Sequence, residues 1–178
     1  MNLAVIIIAS GRVTGAKPDL PPITAPVAGR PALRFVVDAA RALEPKALIV
    51  IGDGEEQRLA AGPDAEFLLR SGQPGTVCGL LPTMDSATGR SSMVLVLPGN
   101  MPLLRPVALR EMIARHRTEK AVMTHLAPAA TPPESPLKRS GQDRAPGSVL
   151  CFRADWLWPN LVHLPRREGD EARLLDLA

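Results

Sequence analysis

The segment Leu3–Ala9 reads LAVIIIA, seven consecutive apolar residues of which four are β-branched. A short, unbroken apolar run of this kind is typical of a strand that is buried on both faces of a parallel sheet. Two later segments have the same character, Ala47–Ile51 (ALIVI) and Ser92–Leu97 (SMVLVL). We therefore predict three adjacent parallel strands whose carboxyl ends lie at one cleft.

Helices and further strands are predicted around this core. Pro31–Leu43 and Pro106–His116 each place proline at a helix start and apolar residues at helical spacing. Weaker patterns predict helices at 55–61, 76–84, 154–161 and 171–177, and strands at 65–69, 121–126 and 149–152. The segments 18–31 and 127–147 are too rich in proline to be helices. Alternating strands and helices predict one α/β domain over residues 1–178, a Rossmann-like three-layer sandwich with a mainly parallel sheet.

Composition excludes several classes of protein. Hydrophobic residues make up 46% of the 178 residues and charged residues 22%, the balance of a globular domain. Five aromatic residues, none of them tyrosine, supply too few stacking surfaces for a single-stranded nucleic-acid binder. The N-terminal apolar run is too short for a membrane span and lacks the basic flank of a signal peptide. Because Cys78 and Cys151 lie in apolar surroundings, we predict buried thiols and a cytoplasmic protein.

Three loops are candidates for a ligand site. Ligands of open parallel sheets bind beyond the carboxyl ends of the strands, and the loops 10–22, 52–54 and 98–102 follow predicted strands there. The first loop contains glycines that permit close backbone approach, and Arg12 and Lys17 add positive charge that suits a phosphate. Its spacing matches neither the dinucleotide fingerprint nor the P-loop. An ordinary strand-to-helix turn is therefore an equally good interpretation of the pattern alone.

Other side chains that often carry chemistry are interpreted as structural. They are His116, His125, His163, Asp53, Trp156 and Trp158. The histidines are assigned to packing or to solvated surface rather than to acid–base chemistry. The aspartate is assigned to a turn rather than to ligand contact, and the tryptophans to packing rather than to sugar stacking.

Three segments together resemble one family. Ile6–Pro31 (IIIASGRVTGAKPDLPPITAPVAGRP) is similar to the signature loop of sugar-phosphate nucleotidyltransferases. Gln73–Leu80 (QPGTVCGL) is similar to their nucleotide-base loop, and Leu95–Leu104 (LVLPGNMPLL) to their metal-bearing loop. The resemblance is to the N-terminal uridylyltransferase domain of the bacterial bifunctional N-acetylglucosamine-1-phosphate uridylyltransferases. It extends more loosely to the molybdenum-cofactor nucleotidyltransferases. It implies the nucleotide-diphospho-sugar transferase type of fold.

The resemblance also implies a chemistry and a set of contacts. The family transfers a nucleoside monophosphate from a nucleoside triphosphate to a phosphorylated small molecule with Mg²⁺. Nucleotide-binding residues carried over from its motifs are Ala9, Ser10, Gly11, Arg12, Thr14, Lys17, Gln73, Gly75, Thr76 and Gly99. Asn100 falls at the family's metal-binding aspartate.

Several positions depart from the family's pattern. Gly15 and Pro22 occupy the places of its phosphate-binding arginine and lysine. Asn100 and Pro146 occupy the places of its two metal ligands, and the segment 127–147 is shorter than its sugar-binding segment. The sequence therefore predicts a nucleotidyltransferase-like protein with weak or lost activity, which needs Mg²⁺ only if it is active. The alternative is a non-catalytic regulatory relative that binds a nucleotide, a nucleotide sugar or a protein partner.

Overall fold

The computed structural model describes residues 2–9, 23–70, 80–86, 90–126 and 149–163 of the chain. The strands in these ranges are β1 (Leu3–Ala9), β2 (Pro26–Val27), β3 (Arg30–Pro31), β4 (Ala47–Gly52), β5 (Glu66–Leu69), β6 (Met93–Pro98), β7 (Met123–Leu126) and β8 (Val149–Arg153). The α-helices are α1 (Ala32–Arg41), α2 (Glu55–Ala61), α3 (Pro106–Thr118) and α4 (Ala154–His163). The segment Leu81–Thr83 is a short 3₁₀ helix.

Strand β1 lies at the centre of a six-stranded sheet with the order β5-β4-β1-β6-β8-β7. It pairs in parallel with β4 on one side and with β6 on the other, so the three predicted strands are adjacent and parallel. Strand β5 continues the parallel arrangement, whereas β8 runs antiparallel to both β6 and β7. The prediction of a mainly parallel sheet in an α/β fold is therefore confirmed.

The two faces of the sheet are covered by different helices. Alternate side chains of β1 belong to opposite core clusters, with Val5 in one and Ile6 in the other. The first cluster is completed by residues of α1, α2 and α3: Leu33, Val36, Val37, Ala40, Ala60, Ala61, Leu109, Met112 and Ile113. The second contains residues of α4: Ala154, Leu157, Trp158 and Leu161. Each fully buried large side chain stabilises the fold by about 1.5–3 kcal/mol, which gives the three layers their cohesion.

The proline-rich segment before α1 contains a small hairpin that the sequence pattern did not predict. Pro26 and Val27 pair antiparallel with Pro31 and Arg30. The two residues between the strands, Ala28 and Gly29, have φ values of 49° and 79°, the left-handed pair that closes a tight two-residue hairpin. Its last residue then leads directly into α1.

The other segment bounds agree closely with the sequence pattern. Helix α2 spans the predicted residues, and α3 extends two residues beyond its predicted end at His116. Of the predicted helix 76–84, only the part from Leu80 onward is described, and it contains the 3₁₀ turn. The predicted helix 171–177 lies outside the described residues. Within the described ranges, no helix combines the length and apolar character that crossing a bilayer requires.

Two buried titratable groups belong to the core rather than to a reactive site. Cys151 lies on β8 opposite Leu95, and its burial raises the pKa of the thiol to about 12. The predicted buried thiol is thus confirmed for this residue, while Cys78 lies outside the described residues. His116 is 3% exposed, and its Nδ1 lies 2.8 Å from Oγ1 of Thr124. Burial, and secondarily the charge of Arg153, lower its pKa, so the ring packs in its neutral form.

We expect His116 to make the protein less stable as the pH falls. The unfolded chain takes up the proton near the ordinary pKa of 6.5, whereas the folded chain takes it up only at lower pH. The free energy of unfolding should therefore decrease as the pH falls through this value, until the folded state is protonated as well. Urea denaturation between about pH 7.5 and 5 should show a smaller decrease for His116→Gln than for the wild type. His163→Gln, an exposed control, should keep the wild-type slope, and parallel curves for His116→Gln and the wild type would contradict the assignment.

Gly52 ends β4 in a crowded position. A Cβ atom there would lie 2.7 Å from Cζ of Phe67 on the neighbouring strand and 3.0 Å from Cβ of Gln57 on α2. Glycine therefore allows β4, β5 and α2 to approach one another at the carboxyl end of the sheet.

We expect Gly52→Ala to destabilise the protein by about 1–3 kcal/mol, because the added methyl group displaces the ring of Phe67. The midpoint of urea unfolding measures the change. Gly54→Ala is the matched control, since the nearest atom to its Cβ would be Oε1 of Gln57 at 3.6 Å, an ordinary contact. Equal midpoints for the two variants would show that Phe67 yields without cost.

Candidate nucleotide site

The carboxyl ends of β4, β1 and β6 finish at the same level of the sheet. Ala9 lies opposite Gly52, and Ile8 lies opposite Pro98. Because the side chain of Ala9 is buried in the core, this residue presents its main chain rather than its side chain to the cleft. The edge thus offers backbone groups of small residues, the arrangement that lets a ligand phosphate approach closely.

Gly99 shows why a small residue is needed at this edge. Its N–H donates a hydrogen bond to the carbonyl oxygen of Ile8 at 2.9 Å, which ties the loop after β6 to the end of β1. A Cβ atom on Gly99 would lie 3.1 Å from that oxygen and 3.2 Å from Cα of Ala9. Both neighbours are backbone atoms of the central strand and cannot move away easily. The structure therefore gives Gly99 a steric role that is independent of any ligand.

Asn100 is exposed on the turn that follows Gly99. The turn is held in place because Met101 and Leu104 pack against the core, and because the N–H of Leu104 donates to the carbonyl oxygen of Met101 at 3.1 Å. Of the two positions that the resemblance assigns to metal ligands, the structure describes Asn100, whereas Pro146 lies outside the described residues.

The donor groups described at this edge do not suit Mg²⁺. Asn100 supplies a neutral amide, whereas this hard cation is held by carboxylates and by substrate phosphates. Among the described residues, no group of three or more His, Cys, Asp or Glu side chains is placed to hold a metal ion. Asp53 follows β4, and β1 lies between β4 and β6. Two strand spacings therefore separate Asp53 from the end of β6, a distance of about 10 Å.

Asp53 is engaged in an ion pair that the sequence pattern did not reveal. Its Oδ1 lies 2.8 Å from Nε of Arg70, whose side chain is only 16% exposed. The N–H of Arg70 also donates to the carbonyl oxygen of Gly52 at 2.7 Å. The sequence shows a basic residue, Arg70, directly after a predicted strand. Its partner Asp53 follows the neighbouring strand of the sheet, so spacing along the chain cannot identify the pair.

Most of the predicted nucleotide contacts lie outside the described residues: Ser10, Gly11, Arg12, Thr14, Lys17, Gln73, Gly75 and Thr76. The same holds for Gly15 and Pro22, the altered phosphate positions. Ala9 and Arg70, the described residues that precede these segments, both lie at the carboxyl edge of the sheet. That the loops 10–17 and 73–76 line one pocket with Gly99 and Asn100 stays a prediction.

The remaining chemistry-bearing side chains lie elsewhere in the described structure. Trp156 stacks on Phe152 with 6.2 Å between the ring centroids, and Trp158 is buried in the core beneath α4. His125 is exposed near the end of β7, and His163 is exposed at the end of α4. None of these four side chains belongs to the carboxyl edges of β1, β4 and β6.

Comparison with known proteins identifies the family to which this sequence is similar. Residues 5–176 match the profile of the family described as "MobA-like NTP transferase domain". The bifunctional protein GlmU of Alcanivorax borkumensis is 40% identical over 117 residues, which are 64% of this chain and 25% of that protein. The chain spans 25%, 28% and 30% of the length of three curated relatives that it matches.

Solved structures agree with this fold. Rv0371c from Mycobacterium tuberculosis H37Rv superposes with a TM-score of 0.70 at 15% identity, over 98% of this chain and 82% of that one. The CMP:2-keto-3-deoxy-manno-octonic acid synthetase complexed with CTP superposes with a TM-score of 0.64 at 14% identity, over 99% and 84% of the two chains. At such identities the two structures establish the fold alone. The match along almost the whole sequence shows more: this chain belongs to the family of MobA-like NTP transferase domains.

Proposed function

We propose that this protein binds a nucleotide or nucleotide sugar at the carboxyl edge of the sheet and transfers nucleotidyl groups weakly or not at all. The observation that carries the proposal is Asn100, which stands on the anchored turn after β6 without a carboxylate cluster among the described residues. We further propose that residues 1–178 form one domain and that the protein is cytoplasmic, in keeping with the free, buried thiol of Cys151.

The chemistry of the family explains why this position matters. When a phosphorylated acceptor attacks the α-phosphate of a nucleoside triphosphate, negative charge grows on the phosphoryl oxygens, and cations must stabilise it. A neutral amide at Asn100 supplies no charge that would hold such a cation. Removal of a single electrostatic stabiliser commonly costs about 2.7–4 kcal/mol in the transition state. The resemblance also implies that Gly15 and Pro22 replace an arginine and a lysine, two positive charges that would contact the phosphates.

Binding demands less than catalysis, because it needs no group that acts only in the transition state. The main-chain groups at Ala9 and Gly99 belong to the scaffold that the fold itself maintains. The base loop around Gln73 keeps the residues that contact the base in similar proteins. A related fold described in complex with CTP supports a nucleotide as the class of ligand.

We expect no turnover close to one per second, a usual rate for a working enzyme, when the protein is given UTP, N-acetylglucosamine 1-phosphate and Mg²⁺. Pyrophosphate release measures the reaction, and Mn²⁺ replaces Mg²⁺ in a parallel arm. A thermal-shift series with UTP, CTP, GTP and UDP-N-acetylglucosamine measures binding in the same preparation.

The outcomes of this experiment separate the alternatives. Turnover near that rate would contradict the proposed loss of activity, and activity gained in Asn100→Asp would identify the metal position as the main loss. A thermal shift without turnover supports the proposal. No shift with any nucleotide would favour a partner-binding role instead.

We expect Gly99→Ala to weaken nucleotide binding in addition to lowering the stability of the fold. The added methyl group would press on the carbonyl oxygen of Ile8 and on Cα of Ala9, and so push the Asn100 turn away from the end of β1. The nucleotide-induced rise in melting temperature measures this effect. Ile113→Val, which removes one methyl group from the core contact of α3 rather than from this edge, should keep the wild-type rise. An unchanged rise in Gly99→Ala would place the nucleotide away from this edge.

A further inference from the structure

A cavity lies at the opposite end of the sheet from the candidate nucleotide site, where β6 begins. Its volume is about 590 Å³, within the range that accommodates a small organic ligand. The lining residues are Arg90, Ser91, Ser92, Arg153, Ala154, Asp155, Trp158 and Pro159. From Ser92 to Pro98 the strand extends about 20 Å, so this cavity is separate from the proposed nucleotide edge.

Positive charge is concentrated around this cavity. Arg90 and Arg153 both line it, and the one carboxylate among the lining residues, Asp155, binds Nε of Arg153 at 2.7 Å. A guanidinium has further N–H donors beyond Nε, so this pair leaves Arg153 able to bind a second anion. Helix α4 also starts at the cavity, with Ala154, and the positive end of its dipole favours a negative ligand.

The other wall of the cavity is apolar and contains an unused donor. Trp158 is 9% exposed, and within the described part of the chain its indole Nε1 has no hydrogen-bond partner. Buried indole N–H groups usually have an acceptor, so this one is an exception among the described residues. The ring of Trp158 lines the cavity, whereas Nε1 itself is buried. Pro159 extends the apolar surface beside it.

The rim is held in place before any ligand arrives. Nδ2 of Asn2 donates to the carbonyl oxygen of Arg90 at 2.8 Å, and Oγ of Ser92 donates to the carbonyl oxygen of Asn2 at 3.1 Å. On the other side, the N–H of Ala154 donates to the carbonyl oxygen of Ser92 at 3.1 Å. These bonds join the amino ends of β1, β6 and α4. A preformed rim reduces the entropy that binding would otherwise cost.

We propose that this cavity binds a small organic anion, a carboxylate or phosphate attached to an aromatic ring. The guanidinium groups of Arg90 and Arg153 and the amino end of α4 take the anion. Trp158 and Pro159 take the ring. The proposal is independent of nucleotide binding at the carboxyl edge.

The test uses Trp158 as its reporter. Trp156→Phe leaves Trp158 as the single tryptophan and retains an aromatic ring next to Phe152. Phenyl phosphate and benzoate, which carry the two anion types on an aromatic ring, are added in increasing concentration while the fluorescence of Trp158 is recorded. Inorganic phosphate serves as the anion alone and phenol as the ring alone. We expect saturable changes, with phenyl phosphate or benzoate bound about tenfold more tightly than either half.

Variants at the cavity assign the site. Arg90→Gln and Arg153→Gln should each weaken binding about fivefold or more, because each removes a charged donor. Arg115→Gln removes the same charge from an exposed position on α3 and should leave binding unchanged. Asp155→Asn frees Nε of Arg153 and should tighten binding, an effect that a merely destabilised protein would not show. Absence of saturation, equal affinity in both cavity arginine variants and the wild type, or equal weakening by Arg115→Gln would overturn the proposal.

Discussion

The burial of β1 on both faces is the constraint on which the rest of this structure depends. The strand has helices above and below it and a parallel neighbour on each side. A polar side chain in its interior would be cut off from water and would have to find a partner in the core. Polar chemistry is therefore restricted to the two ends of the sheet. The carboxyl end meets small residues at Ala9, Gly52 and Gly99, and the amino end meets charged residues around Ser92.

The same constraint explains how much of the fold could be predicted from the sequence. Burial on both faces produces an unbroken apolar run, and burial on one face produces helical spacing, so β1, β4, β6 and α1 are evident from residue types alone. The hairpin around Ala28 and Gly29 depends on two left-handed backbone conformations, and alanine gives little sign of such a conformation. Local spacing also cannot show that Arg70 pairs with Asp53, since the contact exists only after β5 has joined β4.

The part of the candidate site that the structure describes is mostly backbone, and the sequence pattern predicted its place after β1 and β6. The structure explains glycine at position 99, because a Cβ atom there would lie only 3.1 and 3.2 Å from main-chain atoms of β1, closer than is comfortable. Asn100 lies exposed on a turn that Met101 and Leu104 anchor, so the residue type at position 100 affects the fold little. A scaffold of this kind constrains its backbone more strongly than the side chains of its exposed turns.

Strand β6 determines how the two ends of the sheet relate to each other. Both adjoin β6, which carries Ser92 before its first residue and Asn100 beyond its last. A strand in the middle of a sheet cannot slide by one residue, since every side chain would then change faces. The strand therefore holds the amino-end cavity and the Asn100 turn at a fixed separation, about 20 Å along β6.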